Sequence, residues 1–234
     1  MKKIFLLLLL LPLGSCVELQ QVAQQLPQSS ISNTDIAQGL KEALNNGITK
    51  QVSKLTITDG FYKNEAVKIL LPQELQKVDK ALRDIGMGLL ADQGLKVLNR
   101  AAEDAVKEAT PIFVDAVTNM SFADAKNILM GSENAATTYL QNTTSSALYD
   151  KFSPVINTSL TKVGADKVWN QIISKYNQIP LVNKVNPDLT DYVTNQAMNG
   201  VFKMIAVEEK NIRTDIGVRT SDLLRRVFAM QDSK

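Results

Sequence analysis

The chain has 234 residues, a formal net charge of +2, one cysteine and no histidine. Without histidine it cannot form a Ser-His-Asp triad, a Cys-His pair or an HExxH zinc site, and a single cysteine can form neither an intrachain disulfide nor a CxxC pair. Its 26 basic and 24 acidic residues nearly balance and no basic run occurs, so the sequence predicts no nucleic-acid partner.

The first 16 residues combine a basic start, an apolar run and a cysteine. Lys2 and Lys3 precede an apolar run over residues 4–11, and Leu13-Gly14-Ser15-Cys16 follows. The run is much shorter than the ~20 residues of a membrane-spanning helix, which favours a cleaved export signal. The four residues ending at Cys16 resemble the bacterial lipoprotein signal, in which a diacylglyceryl group is attached to the cysteine sulfur before the chain is cleaved in front of that cysteine. We therefore predict a signal peptide over residues 1–15 and a lipid on Cys16; the alternative is an ordinary signal peptide.

The predicted lipid would hold the mature protein on a membrane, because two or three acyl chains bind far more firmly than one. By resemblance to other lipoproteins, Val17 favours the outer membrane, since an aspartate after the cysteine signals inner-membrane retention in enterobacteria. Residues 16–33 are rich in Gln and Ser and predict a flexible tether after the lipidated cysteine. Cleavage would remove Lys2 and Lys3 and no acid, which leaves the mature chain without net formal charge.

Residues 34–234 show helical patterning and predict one domain. Apolar residues recur every three or four positions over residues 34–55, which predicts a first amphipathic helix with caps available at residues 33–35. Residues 57–71 are predicted to be mostly irregular, and a helix is predicted from Pro72 to about residue 85. A long apolar stripe over residues 95–117 predicts a helix that Pro111 kinks or divides.

The second half of the chain predicts further helices between proline and glycine residues. Ser121 and Asp124 form a variant capping box for a short helix that ends at Gly131, and Ser132 can cap the next helix. Helices near 154–162 and 165–178 and a final pair at 188–213 and 220–230 follow from the spacing. No segment alternates polar and apolar residues as a strand does. The predicted fold is all-α, a compact bundle of about 8–10 helices with little or no sheet.

Glu208 is the acid that this pattern places on an apolar face. On the helix predicted over 188–213, it takes the next position of a stripe that includes Val201 and Ile205. A buried carboxylate needs a basic or hydrogen-bonding partner. The candidate partners are Arg83, Arg100, Arg219 and Arg225.

Other charged residues complete a candidate network. Glu209 is predicted to pair with Arg213 at i,i+4 on an exposed face. Arg100 falls opposite the apolar stripe of its helix, at the surface or against a packed loop. The residues of this candidate buried charge network or pocket are Glu208, Arg100, Glu103, Glu209, Arg213 and Arg219. The alternatives for Glu208 are a structural ion pair and a charge that faces a ligand.

Motifs for enzymatic chemistry are weak. Ser159 and Lys162 match the SxxK pattern, in which a lysine one helical turn away accepts the serine proton, but the SDN and KTG elements are absent. Calcium loops, phosphate-binding loops and dinucleotide motifs are also absent. The sequence predicts no cofactor, no metal and no catalytic residue, and it leaves a carboxylate- or Ser/Lys-dependent hydrolase as the alternative function.

Several segments, in chain order, carry a family resemblance. They are Asp59-Gly60-Phe61, Leu71-Pro72, Asn99-Arg100-Ala101-Ala102-Glu103, Pro111-Ile112-Phe113, Asp124-Ala125 with Ile128-Leu129, Ala135-Ala136-Thr137, Asp188-Leu189 with Tyr192-Val193, and Glu208-Glu209 with Ile212-Arg213. Over about residue 36 to the end, the chain resembles the DUF4197 family of exported bacterial proteins. The resemblance implies a helical domain of the cell envelope, often a lipoprotein, and it implies no reaction.

The preferred function is therefore a non-enzymatic envelope lipoprotein. Its partners would be the membrane, through the anchor, and either a small apolar or amphiphilic ligand or an envelope protein. A deep pocket lined by Glu208, an arginine and an aromatic residue would favour ligand binding. The aromatic candidates are Tyr62, Trp169 and Tyr192. A solid core with charges only at the surface would favour a structural or docking role.

Overall fold

The computed structural model describes residues 31–232, without the side chains of residues 74, 77, 78, 81 and 82. The predicted signal peptide, Cys16 and nearly all of the tether lie outside the described residues. The described part contains nine α-helices, two short 3-10 turns and no β-strand, so the predicted all-α class is confirmed. No helix within residues 31–232 combines the length and apolar character needed to cross a membrane.

Most of the helices are joined by short connections, and the two long ones are residues 57–75 and 177–188. In chain order they are α1 Asn33–Thr56, α2 Gln76–Asp84, α3 Gly88–Val106, α4 Ala109–Thr118, α5 Phe122–Leu129, α6 Ala135–Lys162, α7 Ala165–Tyr176, α8 Leu189–Thr214 and α9 Asp222–Asp232. The 3-10 turns are Gln73–Leu75 and Ile216–Val218. Residues 57–71 form turns and irregular structure, as predicted.

Capping residues fix where two of the helices begin. The Ser32 hydroxyl accepts a hydrogen bond from the Asp35 N–H, and the Asp35 carboxylate accepts one from the Ser32 N–H, which starts α1. Ser121 and Asp124 form the same reciprocal pair at the start of α5. The capping box predicted at Ser121 is therefore confirmed, whereas the first helix is capped one residue before the expected candidates.

Two prolines have different effects on the helices. Pro111 lies in the first turn of α4, where its missing N–H would have no helical partner, so the predicted division of the long stripe is confirmed. The helix predicted to begin near residue 154 is wrong, because Pro154 lies inside α6, which runs unbroken for 28 residues. An internal proline costs about 3 kcal/mol. The fully buried Phe152 and Ile156 on either side of it stabilise the continuous helix by packing against the core.

Four helices organise the core. α6 and α8 share the most extensive interface, and α3 packs against both of them. α1 packs against α8 and also contacts α4, α5 and α9. Phe113 from α4 meets Phe202 from α8 edge to face, with ring centroids 5.9 Å apart. Because α1 contacts both α8 and α9, these three helices bound a common space.

Candidate functional site

A cavity of about 370 Å³ lies among α1, α8, α9 and the segment that joins α8 to α9. Most of its wall is apolar and consists of Leu40, Ala43, Leu44, Ile48, Ile205, Ile212, Val218, Leu224 and Phe228. Its polar lining residues are Asn46, Lys50, Glu208, Glu209, Arg213 and Thr220. This volume falls within the range of small-molecule sites, about 300–1,000 Å³.

Small residues on one face of α1 allow α8 and α9 to approach this helix closely and leave the cavity between the two contacts. Gly39, Ala43 and Gly47 follow one another at four-residue intervals and therefore share a face. A Cβ added at Gly39 would lie 2.7 Å from a Val227 methyl group of α9, and one at Gly47 would lie 3.1 Å from Glu208 Cγ of α8. The two glycines allow these close contacts, while Ala43 between them lines the cavity.

Glu208 lies at the edge of the cavity and is paired with α1. Its Oε1 accepts a hydrogen bond from Lys50 Nζ at 2.5 Å, and its Oε2 accepts one from Gln51 Nε2 at 2.6 Å. The side chain retains 14% of its exposure. The expected basic or hydrogen-bonding partner on another helix is present, as Lys50 and Gln51 of α1. The four candidate arginines are not that partner, because α8 faces α1 at this point and none of them lies on α1. Those arginines bind other acids: Arg83 pairs with Asp79 and Asp92, Arg100 with Asp59 and Glu103, Arg219 with Asp232, and Arg225 with Asp222.

Glu209, the next residue along α8, is more deeply buried than Glu208. Its carboxylate accepts hydrogen bonds from the N–H groups of Ala136 and Thr137, at 2.9 and 2.8 Å, and from the Thr137 hydroxyl at 2.8 Å. Ala136 and Thr137 belong to the first turn of α6, so Glu209 caps that helix from outside and its negative charge meets the positive end of the helix dipole. The predicted exposed position of Glu209 is therefore wrong.

Arg213 provides the opposite charge at the neighbouring helix end. It binds Glu209 through Nε and Nη2, and its guanidinium donates hydrogen bonds to the carbonyls of Ile128 and Leu129 at 2.8 and 3.1 Å. These are the last residues of α5, where a cation is favoured by the helix dipole. The Glu209–Arg213 pair thus joins the end of α5 to the start of α6, and it is buried because α8 packs beneath this corner.

Arg219 fastens α9 to the end of α8. Its buried guanidinium donates hydrogen bonds to the carbonyls of Ile212 and Arg213, both at 3.0 Å, and forms two bonds with the Asp232 carboxylate. Hydrogen bonds from Arg219 lower the pKa of Asp232. Because α9 supplies Leu224 and Phe228 to the cavity wall, this contact also fixes one side of the cavity.

Arg100 and Glu103 belong to a second cluster, away from the cavity. Glu103 accepts hydrogen bonds from the backbone N–H groups of Asp59, Phe61 and Tyr62, at 3.1–3.3 Å, and one from Arg100 at 2.6 Å. Arg100 also binds Asp59, which belongs to the loop over residues 57–71. A contact between Arg100 and a packed loop was one of the two predicted alternatives, the other being a surface position. Asp59 has a positive φ of 67°, and hydrogen bonding to Lys63, with the Arg100 charge nearby, lowers its pKa. This cluster, the loop clamp, holds residues 57–71 on α3.

The remaining sequence candidates lie elsewhere. Ser159 and Lys162 border a shallow surface hollow, and no hydrogen bond joins them in the part of the chain that the structure describes. Tyr62, Trp169 and Tyr192 do not line the cavity, whose aromatic wall residue is Phe228. Within residues 31–232 no group of histidine, cysteine or acidic side chains is arranged to hold a metal ion.

Segments that carry the family resemblance meet in space. Asp59-Gly60-Phe61 and the segment from Asn99 to Glu103 form the loop clamp, and Ala135-Ala136-Thr137 meets Glu209 and Arg213 at the α5–α6 corner. No curated protein and no solved structure matches the chain. A family model does, over residues 30–229, and the chain therefore belongs to DUF4197, a family described as being of unknown function.

Proposed function

We propose that this protein is a lipid-anchored envelope protein that binds a small amphiphilic molecule in the cavity among α1, α8 and α9. The observation that carries the proposal is the composition of the wall, which is apolar over most of its area and has charged groups at one edge. Binding pockets for small molecules combine these two features, a hydrophobic lining that supplies affinity and a few polar groups that orient the ligand.

The polar groups divide into those that are already saturated and those that can meet a ligand. Glu209 and Arg213 bind each other and the ends of α5 and α6, so they have little capacity left. Lys50 keeps 48% of its side-chain exposure, and Asn46 and Thr220 are also exposed at the cavity edge. A ligand would therefore place its apolar body against Leu and Ile side chains and its polar end at this edge, beside the Lys50–Glu208 pair.

Ligand binding is expected to raise the melting temperature of the protein. A chain that begins at Val17 keeps every described residue and can be titrated with alkyl chains that end in a carboxylate, an ammonium or a hydroxyl group. A ligand at about 100 times its Kd stabilises the folded state by about 2.7 kcal/mol. Circular dichroism would follow the shift. The proposal fails if no member of the series raises the melting temperature.

A matched pair of variants tests the location. Ala43→Leu adds three carbon atoms to the cavity wall, whereas Ala229→Leu adds the same atoms on the exposed face of α9. We expect Ala43→Leu to abolish the ligand-induced shift, since the added atoms occupy space that the ligand would fill, and urea denaturation without ligand measures the effect of the added volume on intrinsic stability. Ala229→Leu should keep the shift. Equal responses of the two variants would place the ligand elsewhere.

The anchor is tested separately in the producing bacterium. Cys16→Ser removes the sulfur that would carry the lipid, and we expect the variant to remain an unprocessed precursor or to leave the detergent-soluble membrane fraction. Globomycin, which inhibits the lipoprotein signal peptidase, should make the wild-type chain accumulate as a precursor. Unchanged processing and fractionation in both experiments would overturn the lipoprotein assignment and leave the cavity proposal intact.

A further inference from the structure

A second apolar surface lies on α3 and α7, two helices that contribute no residue to the lining of the cavity. It is a groove of about 490 Å³ between α3, the end of α6 and α7, and we call it the α3–α7 groove. Its lining includes Leu90, Leu95, Val163, Val168, Trp169 and Ile172. Leu189, the first residue of α8, lies at its base.

Large apolar side chains are exposed on both sides of the groove. On the α3 side, Leu90 lines the groove and is 53% exposed. On the α7 side, the residues Val163, Val168 and Ile172 are all more than half exposed. Isolated exposed apolar residues are ordinary, but a contiguous patch of this kind marks a surface that contacts a protein, a ligand or a membrane.

The charge beside the groove is positive. Lys96 and Lys162 are exposed and line a hollow that shares Val97 and Val163 with the groove. Arg100 and Asp104 line the same hollow, and the Asp104 carboxylate is paired with Lys107. Neither lysine lies within ion-pair distance of a carboxylate among the described side chains. The carboxylate that lines the groove, Asp79, is bound by Arg83, with Nε 2.9 Å from Oδ2. An incoming surface would therefore meet apolar side chains next to unpaired cations.

We infer that the α3–α7 groove face docks on the surface of a bilayer that contains anionic lipids. The apolar side chains on both sides of the groove would enter the boundary between headgroups and acyl chains, and Lys96 and Lys162 would contact lipid phosphates. Interfacial binding combines these two kinds of contact. A protein partner is the less favoured occupant, because the proposed anchor already holds this domain near lipid. Ile31 follows Cys16 by about 15 residues, a length of chain that spans at most about 50 Å. In this one respect the inference rests on the proposed function.

Vesicle binding by a chain without any lipid tests the inference. The chain from Val17 onward lacks Cys16, so a failed lipid assignment cannot affect the result. We expect it to sediment with vesicles of phosphatidylglycerol and phosphatidylethanolamine, more weakly at high salt, and much less with phosphatidylcholine alone. Trp169, the chain's single tryptophan, lines the groove, so its fluorescence should be quenched by lipids brominated in their acyl chains. Absence of sedimentation with the anionic vesicles would overturn the inference.

Paired variants show which face binds. Leu90→Glu combined with Val168→Glu should weaken vesicle binding at least tenfold, and Lys96→Gln combined with Lys162→Gln should weaken it for anionic vesicles only. The control is Val207→Glu combined with Ile216→Glu, which alters residues that are 45% and 64% exposed. Val207 lies about 27 Å along α8 from Leu189 at the base of the groove. All variants are exposed-site changes, and their folding is checked by circular dichroism.

The outcomes separate the possible occupants. Loss of binding in the groove variant, with binding kept in the control and in Ala43→Leu, supports the membrane face independently of the cavity. Equal loss in the groove variant and the control overturns it. A dimer in solution that the groove variant dissociates, without vesicle binding by the wild-type chain, would also overturn it and would assign the face to a second copy of the protein.

Discussion

Replacement of Glu209 by alanine is expected to lower the free energy of unfolding by about 3–5 kcal/mol. The variant would leave Arg213, whose side chain is 8% exposed, without its carboxylate partner. It would also leave the first-turn N–H groups of Ala136 and Thr137 without an acceptor in a buried position. Denaturation by urea, followed by circular dichroism, measures the change.

Glu208 provides the matched control, since it is the adjacent acid on the same helix. Its partner Lys50 can turn to water, and only the buried amide of Gln51 would lose an acceptor. Glu208→Ala should therefore cost only about 1 kcal/mol. The sequence pattern assigns the larger effect to Glu208, so equal losses, or a larger loss for Glu208, would contradict the assignment of the deeply buried acid to Glu209.

Glu103→Ala is the second variant with a large expected effect, about 3 kcal/mol. The carboxylate of Glu103 accepts hydrogen bonds from three backbone N–H groups of the loop over residues 57–71. An unsatisfied buried donor costs about 1–3 kcal/mol, and water that enters the site restores part of this loss. Phe61, which is fully buried, would lose the contact that orients its backbone. We expect the amides of Asp59, Phe61 and Tyr62 to exchange with deuterium much faster in this variant.

Asp104, the acid next to Glu103 on α3, is the control for the loss of a negative charge at this position of the helix. Asp104 pairs with Lys107 on an exposed face of α3, and surface pairs contribute little. Asp104→Ala should change the free energy of unfolding by no more than about 0.5 kcal/mol and leave the loop amides protected. Fast exchange of the same amides in Asp104→Ala, or full protection in Glu103→Ala, would show that the loop clamp does not hold residues 57–71 on α3.

The sequence predicts most helices because their signals are local. The spacing of Ile36, Leu40, Leu44 and Ile48 is a property of one helix, and the Ser121 and Asp124 pair marks a start without help from the rest of the chain. Pro154 is the exception. Whether a proline ends a helix depends on how much burial the residues beyond it gain, and that gain comes from α3 and α8, which pack on α6.

The candidate site is less predictable because it depends on the positions of helices relative to one another. α8 is buried along a broad face, so the stripe through Val201 and Ile205 does not decide whether Glu208 or Glu209 points inward. The helix ends that Glu209 and Arg213 bind belong to other parts of the sequence. The sequence signal for the cavity was the face of small residues on α1, which is revealed by the spacing of Gly39, Ala43 and Gly47. The volume of the cavity follows from the packing of α8 and α9, which this spacing does not predict.

Native mass spectrometry of the protein purified from the bacterium that produces it tests the binding proposal most directly. We expect a small molecule to be retained on the wild-type protein and on Ala229→Leu, and to be absent from Ala43→Leu, in which the cavity is filled. A wild-type protein that carries no added mass, or an Ala43→Leu variant that carries the same added mass as the wild type, would contradict it.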